Sequence, residues 1–252
     1  MKISCISDLH IRTENDEAHE CFKAFINHPK VRESQEIYFL GDIFDMMVGD
    51  QQKYLDQYDF FFSSINSLIK NNIKITYVEG NHDFHLENVF KTFKIKNKIN
   101  DEMLIYSKDE IKFVHKDKKY IFCHGDIVDN MNESFKKWKS IYRSLPFQLF
   151  VNKIIPYSVA KKIGDKASST SKKRNSKSFE YDNSKKLYIN GAKEILKNKS
   201  NTILVGGHTH ILEDIKFHEC QYINNGFPVR DQKFIHIEEN IAKLISLTES
   251  FE

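Results

Sequence analysis

The sequence predicts an α/β layered domain, and three observations predict it. Short apolar runs rich in β-branched and aromatic residues recur along the chain, and helix-period segments separate the first three of them. The runs do not alternate polar and apolar, as expected of strands covered on both faces. Strand–helix–strand alternation is the pattern of layered α/β folds.

In order, Ile3–Ser7 reads as the first strand, and Glu17–His28 as a helix with Phe22, Phe25 and Ile26 at helical spacing. Glu36–Leu40 is the second strand. Tyr54–Asn71 is the second helix, with Tyr58, Phe61, Phe62, Ile65, Leu68 and Ile69 on one face. Lys74–Val78, Lys119–Cys123 and Thr202–Val205 are the next strands. Beyond Gly206, Ile211–Phe217, Glu219–Asn224, Lys233–Ile237 and Ala242–Leu247 read as successive strands without helices, predicting a meander.

Residues 147–190 differ in composition. Ten Lys/Arg against three Asp/Glu give +7 there, while the whole 252-residue chain carries only +3. The segment opens apolar (FQLFVNKIIPYSVA) and turns basic (KASSTSKKRNSKS), which suits a helical insertion or lid over 130–195 within a single domain spanning 1–252. Basic charge confined to one segment argues against a nucleic-acid partner. Cys5, Cys21, Cys123 and Cys220 are scattered without a CxxC pair, which argues against a thiolate zinc site, and a reducing compartment fits. Asp8 stands too early for a signal peptide, and no run of about 18 apolar residues occurs. A cytoplasmic protein is expected, in peripheral contact with a membrane if the apolar segment meets one.

The chemistry lies just past the end of each strand. The runs end in Asp8-Leu9-His10, Gly41-Asp42-Ile43-Phe44-Asp45, Gly80-Asn81-His82-Asp83, His124-Gly125-Asp126 and Gly206-Gly207-His208-Thr209-His210. Ligands of open α/β sheets bind beyond the carboxyl ends of the strands, so these groups are expected in one crevice. Nitrogen and oxygen donors without thiolate suit Mn, Fe, Zn or Co. So many donors suit two ions sharing a carboxylate, an arrangement that lowers the pKa of a bound water and neutralises phosphoryl charge.

The series DLH…GDIFD…GNHD…CHGD…GGHTH resembles the calcineurin-like metallophosphoesterase family, whose five motifs it repeats in order over residues 8–210. The resemblance implies a four-layer αββα sandwich of two mixed sheets flanked by helices, and two divalent ions, Mn2+ foremost. Asp8, His10 and His210 would hold one ion, Asn81, His124 and His208 the other, and Asp42 would bridge them. His82 would contact the phosphoryl oxygen or protonate the leaving group. Asp83 would orient His82 through its other ring nitrogen. Asp45 and Asp126 read either as supports for these groups or as turn residues, and His85 as a neighbour of the GNHD turn.

GDIFDMMVGD, the basic segment between HGD and GHTH, and RNSKSFEYDNSKKL resemble the UDP-2,3-diacylglucosamine pyrophosphatase branch of lipid A synthesis. That branch implies hydrolysis of a nucleotide-activated glycolipid to a 2,3-diacylglucosamine 1-phosphate and UMP. Asn81, His82, Arg174, Asn175, Ser176, Lys177, Asn183, Lys186 and His208 would contact the substrate. Leu149, Phe150, Val151, Ile154, Ile155 and Val159 would receive acyl chains or touch the cytoplasmic face of an inner membrane. The branch's best-known enzymes carry Arg where this chain has His82. A phosphodiesterase or nucleotidase for soluble nucleotides, and a non-catalytic scaffold that binds proteins, are the alternatives.

Overall fold

The structure is a computed structural model that describes residues 1–129, 133–153 and 181–248. Its strands are β1 (Lys2–Ile6), β2 (Glu36–Phe39), β3 (Met47–Val48), β4 (Lys74–Val78), β5 (Asp83–Phe84), β6 (Leu104–Ser107), β7 (Ile111–His115), β8 (Lys118–Phe122), β9 (Thr202–Gly206), β10 (Leu212–Phe217), β11 (Cys220–Asn225), β12 (Lys233–Glu238) and β13 (Ile241–Ser246). Its helices are α1 (Glu17–Asn27), α2 (Pro29–Arg32), α3 (Tyr54–Gln57), α4 (Asp59–Lys70), α5 (Glu87–Asn97), α6 (Glu133–Tyr142), α7 (Leu145–Lys153), α8 (Tyr181–Leu196) and α9 (Pro228–Asp231).

Two mixed sheets form the centre. The first runs β13-β12-β1-β2-β4-β6 and the second β10-β11-β9-β8-β7. Their facing sides meet through Ile3, Cys5, Tyr38, Leu40 and Val78 on one sheet and Tyr120, Phe122, Ile203, Val205 and Ile223 on the other. α1, α4 and α5 cover the outer face of the first sheet, and α8 covers the second through Ala192 and Leu196. This is the expected four-layer sandwich, and it explains the non-alternating strands, because the inner strands of each sheet are buried on both faces.

Local rules account for the main helices. Asp16 caps α1 by accepting the His19 amide at 2.8 Å, and Ala18, Cys21, Phe22, Phe25 and Ile26 form its buried stripe. Phe61 of α4 touches Phe22, Phe39, Phe44 and Tyr77, so truncating it to Ala would cost about 3–5 kcal/mol. The helix expected over Tyr54–Asn71 is interrupted. Tyr58 takes φ −114° and ψ 36°, outside the helical region, which separates α3 from α4.

The expected C-terminal meander is corrected. β10 and β11 form a hairpin whose second strand lies parallel to β9 in the second sheet. β12 and β13 form another hairpin, but β12 pairs antiparallel with β1 in the first sheet. α9 falls between the hairpins, and Pro228 at its start removes a ladder donor where the chain changes sheet. All four cysteines are buried free thiols. No helix among the described residues is long and apolar enough to cross a membrane.

Candidate active site

Five motif loops leave the carboxyl ends of β1, β2, β4, β8 and β9, three from the first sheet and two from the second. They bring all seven expected donors together. His10 Nε2 lies 3.1 Å from His210 Nε2 and 3.9 Å from Asp42 Oδ2, and His210 Nε2 lies 3.3 Å from Asp8 Oδ1. On the other side, Asn81 Oδ1 is 2.9 Å from His124 Nε2 and 2.8 Å from His208 Nδ1. Asp42 stands between the groups, its Oδ2 3.6 Å from His124 Nε2.

The backbone is bent to aim these groups inward. Asp8, His10, Asp42, His208 and His210 all have φ between 52° and 67°, the left-handed region that non-glycine residues seldom occupy. Gly207 serves a different need. A β-carbon there would lie 2.2 Å from Asp8 Oδ2 and 2.1 Å from Ser7 Oγ, so only glycine lets the GGHTH loop reach the DLH loop.

Hydrogen bonds to carbonyls fix the imidazoles. The Leu40 carbonyl can only accept, so His124 Nδ1–H donates to it at 2.9 Å and Nε2 turns into the cleft. His82 Nδ1–H likewise donates to the Asp45 carbonyl at 2.7 Å. The expected contact between Asp83 and His82 does not form. Asp83 is fully buried and accepts the amides of Asp42, Ile43 and Gly80 at 2.9, 2.6 and 2.9 Å and the Tyr77 hydroxyl at 2.5 Å. Its carboxylate ties the GDIFD loop to the GNHD loop, and the Asp45 carbonyl orients His82 instead. The Asp45 side chain takes two bonds from Arg12, at 2.8 and 3.3 Å.

The electrostatics of the cleft suit a cation. Burial favours neutral carboxyls, yet the surrounding imidazoles hold Asp8 and Asp42 below the usual carboxylate range. Burial also opposes charge on His124, but Asp42 and Asp8 outweigh it and lift the ring to about 9. His10, buried and facing His82, is pushed down to about 3. Burial and the Asp42 charge raise Asp83 to about 7. Asp8 Oδ1 is buried and faces His210 Nε2 at 3.3 Å without a well-formed hydrogen bond. Buried carboxylate oxygens facing imidazole nitrogens are what a divalent ion requires, the rings giving up their protons as it binds. Asp8, His10 and His210 each offer a donor atom within 4.8 Å of one another, as do Asp8, Asp42 and His124, and also His10, Asp45 and His82. The residues present therefore fit the binding of divalent metal.

Of the remaining expected contacts, Lys186 is exposed on α8, and Asn183 lies on α8 with its side chain outside the described part. Arg174, Asn175, Ser176, Lys177, Ile154, Ile155 and Val159 lie outside the described residues. Leu149 and Phe150 are exposed, whereas Val151 is buried against Val48, Phe84 and Tyr142 and so is not available to an acyl chain. Sequence reading missed Asn224 and Asn225 at the carboxyl end of β11. Asn225 accepts the Ser7 hydroxyl at 2.8 Å, and Asn224 donates to the Gly207 carbonyl at 2.7 Å, so both hold motif loops. The strand-end rule that found the other five loops applies equally to INNG. Phe227, stacked 5.2 Å from His210, carried no such signal.

A family model described as calcineurin-like phosphoesterase matches residues 1–212. The UDP-2,3-diacylglucosamine hydrolase of Psychromonas ingrahamii is 26% identical over 221 residues, covering 83% of this chain and 81% of the relative. That of Blochmanniella pennsylvanica is 27% identical over 217 residues, covering 83% and 79%. Among solved structures, an archaeal phosphodiesterase matches with a TM-score of 0.46 at 15% identity, covering 97% of this chain and 99% of the other. The zinc complex of Vps29 from Entamoeba histolytica matches with a TM-score of 0.40 at 12% identity, covering 98% and 100%.

Proposed function

Because the chain belongs to the calcineurin-like phosphoesterase family, a family of metal-dependent hydrolases, we propose that it cleaves the pyrophosphate bond of UDP-2,3-diacylglucosamine, giving 2,3-diacylglucosamine 1-phosphate and UMP. The observation that carries the chemistry is the pair of donor groups, Asp8–His10–His210 and Asn81–His124–His208, on either side of Asp42. The substrate class is supported by the relatives that bear that name over four-fifths of both chains.

Two divalent ions, Mn2+ foremost, would be held by those seven residues and would supply charge neutralisation and a water of lowered pKa. The chain's own residues do the rest. His82 lies at the rim of the cleft, its ring centroid 4.8 Å from that of His10. Its Nδ1–H is engaged by the Asp45 carbonyl, so Nε2 is the atom left to meet a phosphoryl oxygen or to pass a proton to the leaving phosphate. Burial opposes charge on this ring, but Asp42 and the Asp45 carbonyl raise its pKa, which favours the proton-donating form. Asn81 would orient a phosphoryl oxygen through its amide. The exposed Leu149 and Phe150 on α7 and the basic residues of 154–180 would meet the acyl chains and the membrane surface.

The test is hydrolysis of UDP-2,3-diacylglucosamine, UDP-glucose and bis-p-nitrophenyl phosphate by Mn2+-loaded protein, with products identified by mass spectrometry. UMP and the diacyl monophosphate, formed far faster than products from the other two substrates, are expected. Equal rates on all three would leave a general phosphodiesterase and remove the lipid.

A further inference from the structure

The metal loops are touched from both ends of the segment 130–195. At its leading end, Lys139 of α6 places Nζ 2.5 Å from Asp126 Oδ2, and the Asp126 side chain is only 7% exposed. Asp126 stands two residues beyond His124. Tyr142, the last residue of α6, offers its carbonyl to His85 Nε2 at 2.6 Å, three residues beyond His82. The last carbonyls of a helix have no partner within it, so His85 caps α6 from the GNHD loop. Arg143 adds bonds to Asp109 at 2.8 Å and to the Lys108 carbonyl at 2.6 Å, and the Tyr142 ring packs 4.7 Å from Phe84.

The returning helix, α8, rests on the same place. A β-carbon at Gly191 would lie 2.0 Å from the Val128 carbonyl oxygen, so the helix backbone sits directly on the turn after His124. That turn is closed by the Val128 amide donating to the Gly125 carbonyl at 3.0 Å. It carries Asp129, whose Oδ2 is 3.6 Å from His208 Nε2, the ring nitrogen opposite the one that faces Asn81. One turn therefore contacts both helices and lies beside two imidazoles of the same donor group.

We propose that the turn Gly125–Asp129 couples α6 and α8 to the metal centre, with Lys139 and the close approach of α8 at Gly191 as the two points of attachment. The seating of either helix then changes the cation affinity of His124 and His208, and cation binding orders α6. The proposal rests on the metal-centre reading above. Lys139 and His85 touch no reacting atom and are positioning residues. Coupling between binding sites is reciprocal, so it can be read from the metal side without any substrate.

The probe is Mn2+ alone, titrated calorimetrically into the full chain, with hydrogen exchange measured before and after. In the wild type, Mn2+ is expected to slow exchange at residues 124–129 and across α6. In K139M the Mn2+ Kd should rise about tenfold, as for other groups that support a ligand from behind. The slowing should persist at 124–129 and vanish from α6, and K139R should restore both. Wild-type Kd in K139M, or an α6 still slowed by Mn2+, overturns the coupling. Should K139M not fold, G191A reads the other attachment by pushing α8 off Val128: a raised Mn2+ Kd is expected, and a wild-type Kd overturns the coupling. A wild type that binds no Mn2+ at all would defeat the metal-centre reading itself, which separates the two failures.

Discussion

The His208 amide donates to Asp8 Oδ2 at 2.8 Å, joining the end of β9 in one sheet to the end of β1 in the other across 200 residues of chain. Neither sheet holds a complete donor set. The first contributes Asp8, His10, Asp42 and Asn81, the second His124, His208 and His210. The site exists only when the sheets are packed, so a cation that binds there binds the folded state alone.

Metal removal should therefore act on stability as well as activity. A ligand at a hundred times its Kd adds about 2.7 kcal/mol to a fold that alone can bind it. Chelation should abolish hydrolysis, lower the melting temperature, and be reversed on both counts by Mn2+. Activity should also fall at acid pH, because the ligand imidazoles must be neutral to bind. A calorimetric scan indifferent to chelator would count against the site.

His82→Gln should lower kcat by about 10²- to 10⁴-fold, the range for loss of a positioned acid. Metal content should not change, since His82 belongs to neither donor group that flanks Asp42. The loss should be largest for substrates with a poor leaving group and smallest for nitrophenyl esters, whose leaving group needs no proton. A uniform loss across leaving groups would make His82 a binding group only.

Asp83→Ala should be a stability variant first. It strands four buried amides and the Tyr77 hydroxyl. Each orphaned buried group costs about 1–3 kcal/mol, so a loss of about 3 kcal/mol or more is expected in urea unfolding. A midpoint unchanged from wild type would show that the loops do not depend on this carboxylate.

The strands buried on both faces were legible in the sequence, because a continuous apolar run can pack only where both faces are covered. β6 and β7 were not, since their runs LIYS and IKFVH mix polar and apolar residues at the sheet edges. The meander failed for a different reason. The partner of Lys233–Glu238 is β1, so a pairing set by tertiary packing was invisible to a local pattern. At the site, residue types announced the chemistry, whereas the direction of a carboxylate did not show. Asp83 and Asp45 each close a motif, and only the structure reveals that the Asp45 carbonyl holds His82 while Asp83 holds the loops.

His236 should make stability depend on pH, although it is far in sequence from the site loops. It lies on β12, is 4% exposed, and sits with Nδ1 3.0 Å from Ser4 Oγ. Burial, and then the Lys30 charge, hold it down to about 4, against the Glu238 carboxylate 3.8 Å away. In the unfolded chain an imidazole titrates near its ordinary value of about 6.5. Between those two values the unfolded chain takes a proton that the fold refuses, so stability rises with pH through this window. The full contribution is present above the unfolded value and is lost as pH falls towards 4, a swing on the order of 3 kcal/mol. Gln at 236 cannot titrate. Urea unfolding of wild type and H236Q in chelator should give curves whose difference changes by this amount between neutral pH and pH 4, the ligand histidines cancelling in the subtraction. A constant difference across that range would mean that His236 titrates alike in the folded and unfolded chain.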